Sequence, residues 1–78
     1  MRYEVIREIF NQCSGNQMRD VFVDEVDLDE GEIDRYMDQY RIGKEIEEER
    51  EITESGDIIY NIVSDGLRQR VGFTRVER

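Results

Sequence analysis

Four residues, Ser64-Asp65-Gly66-Leu67, constrain this chain most, because an Asp-Gly pair between alternating apolar runs is the preferred centre of a two-residue type I′ hairpin. The turn sets Ser64 opposite Leu67. Counting outward, Ile62 with Gln69, Tyr60 with Val71 and Ile58 with Phe73 share one face, while Val63 with Arg68, Asn61 with Arg70 and Ile59 with Gly72 share the other. One face comes out largely apolar, as a half-buried antiparallel pair requires.

The preceding turn fixes a third strand. A two-residue Ser55-Gly56 loop would bring Thr53, Glu51 and Glu49 against the apolar face. A three-residue loop, Glu54-Ser55-Gly56, with Gly56 in the left-handed position of a G1 bulge, pairs Ile52 with Ile58 and turns Ile46 inward instead. Register follows the buried pattern, so the second reading is preferred. Glu45, Glu47, Glu49 and Glu51 then point to the opposite face, in rows that run through Asn61 and Val63 to Arg70 and Arg68.

A helix is expected from Glu30 to Arg41, since Ile33, Tyr36, Met37 and Tyr40 recur at helical spacing. Asp29 suits the N-cap, Glu32 completes a capping box, and Leu28 is placed to staple onto Ile33. Gly43 suits a left-handed stop. Upstream, Val21, Phe22, Val23, Val26 and Leu28 read as a strand over residues 19–27, with apolar side chains on both faces. For Tyr3 to Phe10 a helical arc collects Tyr3, Val5, Ile6, Ile9, Phe10 and Cys13, whereas Arg7, Glu4 and Glu8 interrupt strict alternation. Strand-favouring composition and the turn residues Ser14-Gly15-Asn16 make a strand the preferred reading, with a helix the alternative. The expected fold class is α+β: a small antiparallel β-sheet made of a β-hairpin and a three-stranded β-meander, joined by one α-helix packed on one face. The expected core sets Ile33, Tyr36, Met37 and Tyr40 against Ile58, Tyr60, Ile62, Val71 and Phe73.

Size and charge narrow the functional classes. Seventy-eight residues allow one small acidic domain, 1–78, near the lower limit for a core without disulfides or metal. One cysteine and no apolar run long enough for a signal peptide or a membrane span give a cytoplasmic expectation. The net charge is −9, and residues 20–57 alone carry −12. A field of that sign repels nucleic acid and anionic membranes and attracts basic proteins. Direct nucleic-acid and membrane binding are therefore not expected.

Chemistry-bearing motifs are sparse. Cys13, Ser14, Asn16 and Gln17 gather a thiol, a hydroxyl and two amides around Gly15, the one stretch resembling a ligand or redox loop. The chain has no histidine, and acidic surroundings oppose a thiolate. One Cys without His cannot fill a zinc shell. Aligning Gly31 with the invariant glycine of a calcium loop puts Val26 and Leu28 at ligand positions, so that register misses. No phosphate cradle or nucleophile elbow is present, no catalytic or cofactor-binding residue is assigned, and no cofactor is expected. The aromatic residues fall mostly on expected apolar faces, so they read as core.

The expected function is thus a small, acidic, non-enzymatic protein-interaction or accessory domain. Its Glu45, Glu47, Glu49 and Glu51 surface would meet a basic protein, and apolar residues on the second sheet face would suit a homodimer. The alternatives are a nucleic-acid mimic that inhibits a DNA- or RNA-binding protein, and a small-ligand or redox domain using the Cys13–Gln17 loop.

Overall fold

The computed structural model describes residues 1–13 and 16–76, with side chains described outside residues 11–19. Five strands, β1 (Arg2–Cys13), β2 (Asn16–Asp27), β3 (Ile46–Ile52), β4 (Ile58–Ser64) and β5 (Leu67–Arg75), form one antiparallel sheet in the order β2-β1-β5-β4-β3. The sheet has two strands more than the meander because the β1–β2 hairpin joins it. The join is the pairing of β1 with β5, from Tyr3 opposite Arg75 to Phe10 opposite Arg68. Residues 3–10 are therefore strand, and both hairpin strands run longer than expected.

The meander has the register that its turns dictate. Asp65 and Gly66 both take positive φ, 47° and 85°, and Ser64 faces Leu67. Gly56 sits at φ 89°, the Thr53 N–H donates to the Asp57 carbonyl at 2.9 Å, and Ile52 faces Ile58. A left-handed glycine thus closes a loop of three residues, Glu54 to Gly56.

The helical segment differs from the regular helix expected over Glu30 to Arg41. Only Ile33–Tyr36 forms an α-turn, flanked by 3-10 turns at Glu30–Glu32 and Met37–Tyr40. Glu32 accepts from the Asp29 N–H at 3.1 Å, the return half of the expected capping box. At the other end Arg41 leaves the helix at φ −89°, ψ 61°, and Gly43 is no helix stop. Gly43 lies at φ +133° beside the Asp65 carboxylate and the Ser64 hydroxyl, where a Cβ would not fit. The tight turns suit a segment that must release the chain to β3 within five residues of Tyr40.

One cluster of buried side chains joins these elements. Tyr3, Val5, Ile58, Tyr60, Ile62, Val71 and Phe73 come from the sheet, and Ile33 and Met37 from the helical segment. Tyr36 and Tyr40 are only half-buried, at the margin of the cluster. Phe73 is its hub, meeting Tyr3, Tyr36 and Tyr60 edge-to-face at centroid distances of 6.4, 5.7 and 5.9 Å. Tyr3 and Val5 enter the core because β1 pairs with β5, a partnership that turn chemistry alone does not announce.

Candidate interaction face

Strand parity assigns every side chain to one of two faces. Tyr60, Val71 and Val5 stand on the face of the buried cluster, and their odd-even neighbours stand on the other. That second face carries Glu47, Glu49 and Glu51 on β3, Ile59, Asn61 and Val63 on β4, Arg68, Arg70 and Gly72 on β5, and Glu4, Ile6 and Glu8 on β1. All seven residues of β3 are exposed, as are Arg68 and Arg70.

The rows on this face are regular. Glu49 and Arg70 both pair with Asn61, and Glu47 and Arg68 both pair with Val63. Acid and base thus lie two strand spacings apart, about 10 Å, with an uncharged strand between them. The groove over β4 holds about 560 Å³ and is lined by Glu47, Glu48, Glu49, Asn61, Val63 and Arg68. Beside it, the missing side chain of Gly72 leaves a shallow hollow of about 180 Å³ flanked by Ile6 and Ile59.

Glu45 lies outside the row, one residue before β3, where its backbone exchanges hydrogen bonds with Asp65. Glu48 has the opposite parity and joins a cluster that the sequence did not reveal. Arg41 donates from Nε to Glu48 at 2.9 Å, from Nη1 to the Asp38 carboxylate at 2.6 Å and to the Asp34 carbonyl at 3.0 Å, and from Nη2 to the Asp34 carboxylate at 2.7 Å. Hydrogen bonding and charge from Arg41 hold the Asp34 carboxyl below its ordinary range, and the same carboxylates raise the Arg41 pKa. This clasp ties the helical segment to β3. The available signal was that Arg41 lies just past the last helical apolar position while Glu48 breaks the parity of the other glutamates.

Arg7 is a second residue whose role parity alone misjudges. It stands on the cluster face with its guanidinium between the rings of Phe22 and Tyr40, at 4.8 and 4.9 Å from their centroids. Burial, followed by the neighbouring Tyr40 hydroxyl, pushes the Tyr36 hydroxyl up to about 12.

Comparison with protein-family models, curated proteins and solved structures returned no match. Cys13 and Asn16 are opposed at the end of the first hairpin, and Gln17 faces Gln12. Ser14 and the side chains of Cys13, Asn16 and Gln17 lie outside the described residues. Among the described residues no three His, Cys, Asp or Glu side chains are grouped to hold a metal ion, and no helix is long and apolar enough to cross a membrane.

Proposed function

We propose that this chain is a small, non-enzymatic interaction domain of the cytoplasm, with its helical segment packed on one sheet face and the opposite face docking on a basic protein surface. Glu47, Glu49 and Glu51 make the contact, and Glu45 flanks it. The observation that carries this reading is the row itself: three carboxylates at alternate positions of a fully exposed edge strand. Among the described residues none of the three lies in an ion pair within 4.0 Å, so their charge is available to a partner. Nucleic-acid mimicry draws less support, because the next charged strand on this face, β5, presents Arg68 and Arg70 and cancels part of the field.

Affinity capture from native lysate, washed with rising salt, tests the reading against a variant carrying Glu47→Gln, Glu49→Gln and Glu51→Gln. The wild-type chain is expected to retain proteins that the variant loses, with elution at moderate salt as screening sets in. Equal capture by both chains removes the acidic row from the contact.

A further inference from the structure

The charge pattern of the open face is complementary to itself. A half-turn about an axis parallel to β4 keeps every residue at its level along the strands and exchanges the strands on either side. Laid over a second copy in this way, β4 covers β4, β3 covers β5 and β5 covers β3. Because Glu49 and Arg70 share the level of Asn61, Glu49 then faces the partner's Arg70. Because Glu47 and Arg68 share the level of Val63, Glu47 faces the partner's Arg68. The symmetry doubles each contact, giving four acid–base pairs across the interface and none between like charges on these strands.

We infer that the basic surface met by the glutamate row is the Arg68–Arg70 row of a second copy of this chain, in a face-to-face dimer whose two-fold axis runs along β4. This deepens the proposed function and rests on it. Within one chain β4 holds the glutamate row and the arginine row about 10 Å apart with their side chains standing side by side, and the direct cross-strand neighbour of Arg70 is Glu8 on β1. Among the described residues Glu47, Glu49, Arg68 and Arg70 form no ion pair within 4.0 Å. Among axes along β1, β3, β4 and β5 one position is favourable. Placed along β5 it stacks Arg68 and Arg70 on themselves, and along β3 or β1 it stacks glutamates. Only β4 combines an uncharged set, Ile59, Asn61 and Val63, with opposite charges on its two flanks. There the apolar side chains meet their own counterparts, the Asn61 amides can pair, and aligned sheets bring long Glu and Arg side chains within reach across a gap of about 10 Å.

Three strands make a small interface, at the low end of specific contacts, so the dimer is weak and concentration-dependent. The charge of −9 on each copy opposes association at long range. At about 0.15 M salt the screening length of roughly 8 Å confines that repulsion to near neighbours, which here are of opposite sign.

Sedimentation equilibrium at that salt, from about 10 µM to 1 mM, measures the outcome. The average mass should climb from 9.4 kDa toward twice that value. Two variants, Glu47→Arg/Glu49→Arg and Arg68→Glu/Arg70→Glu, each carry like charges in both rows and should associate at least tenfold more weakly than wild type. Mixed in equal amounts they regain every opposite pair and should form a heterodimer. All four exchanged side chains lie on the exposed face, and circular dichroism melts report whether each variant folds. A wild-type chain that stays at 9.4 kDa throughout overturns the second copy as partner. If that monomer still captures other proteins through its glutamates, the proposed function stands without it. Dimers that survive in either variant alone, or folded variants that fail to associate when mixed, overturn the axis along β4.

Discussion

Two glycines with opposite surroundings show how much a single Cβ can decide. Gly43 adopts φ +133°, and a Cβ there would sit 2.8 Å from the Ser64 hydroxyl and against the Asp65 carboxylate. That carboxylate is already engaged, accepting from the Lys44 N–H at 3.2 Å and the Glu45 N–H at 3.0 Å. Gly43→Ala must therefore both strain the backbone and displace a turn that holds the entry to β3, a cost of about 1–3 kcal/mol. Gly72 lies mid-strand with open space above it, the nearest atom to a built Cβ being the Ile6 carbonyl oxygen at 4.0 Å. Replacing it by alanine removes the entropy penalty of a strand glycine and adds apolar contact beside Ile6 and Ile59, a gain of about 0.5–1 kcal/mol. Thermal or urea denaturation should thus move in opposite directions for the two substitutions. A neutral Gly43→Ala would show that the Asp65 turn does not fix this junction.

At the scale of elements, the clasp around Arg41 joins the helical segment to β3, a strand whose residues are all exposed and add nothing to the buried cluster. Its side chain is 19% exposed, and the guanidinium reaches Asp34 and Asp38 on the helical segment and Glu48 on β3 at once. Arg41→Ala should lower the melting temperature by about 5 °C, and Arg41→Lys should recover only part of that, since an ammonium cannot span three acceptors in a fixed fork. The folded-state pKa of Asp34 is depressed, so the stability that its pair with Arg41 contributes is present above the ordinary carboxylate range and is lost as pH falls through the folded value. The difference in melting temperature between wild type and Arg41→Ala should accordingly narrow below roughly pH 4. A gap that stays constant with pH would mean that packing of the arginine stem, and not its charge, supports the junction. The meander was legible in the sequence because Asp65-Gly66 and Gly56 each admit few backbone geometries and the apolar alternation selects among them. The pairing of β1 with β5 was hidden, since no turn links them and Tyr3 and Arg75 stand at opposite ends of the chain. Arg7 made β1 look interrupted because alternation treats every charge as outward, whereas the rings of Phe22 and Tyr40 accommodate its guanidinium on the cluster face. The glutamate row was legible by the same parity that placed the core, while the Arg41 clasp was not, because it depends on how the chain leaves the helical segment.

For the whole molecule the governing quantity is charge density. A net charge of −9 is spread over a body of 43 × 25 × 21 Å, and the buried cluster that opposes it contains nine apolar side chains. A core this small leaves a narrow margin, so self-repulsion is a sizeable fraction of the net stability. Added salt acts on two opposed contributions. It weakens the exposed ion pairs, each worth about 0–1 kcal/mol, and it screens the repulsion among carboxylates that have no base nearby. The chain has twenty acidic residues against eleven basic ones, so the second contribution is the larger. The melting temperature should rise by a few degrees as NaCl goes from about 10 to 150 mM, and the rise should shrink in a variant with Glu47→Gln, Glu49→Gln and Glu51→Gln, which removes three unmated charges from one edge. At about 10 µM, the dilute end of the proposed association, the effect is expected to belong to the single chain; carried to about 1 mM, any additional concentration-dependent rise reports association. A melting temperature that falls with salt at both concentrations would show that the ion pairs dominate, and that the excess of acid is held far enough apart on this sheet to be thermodynamically silent.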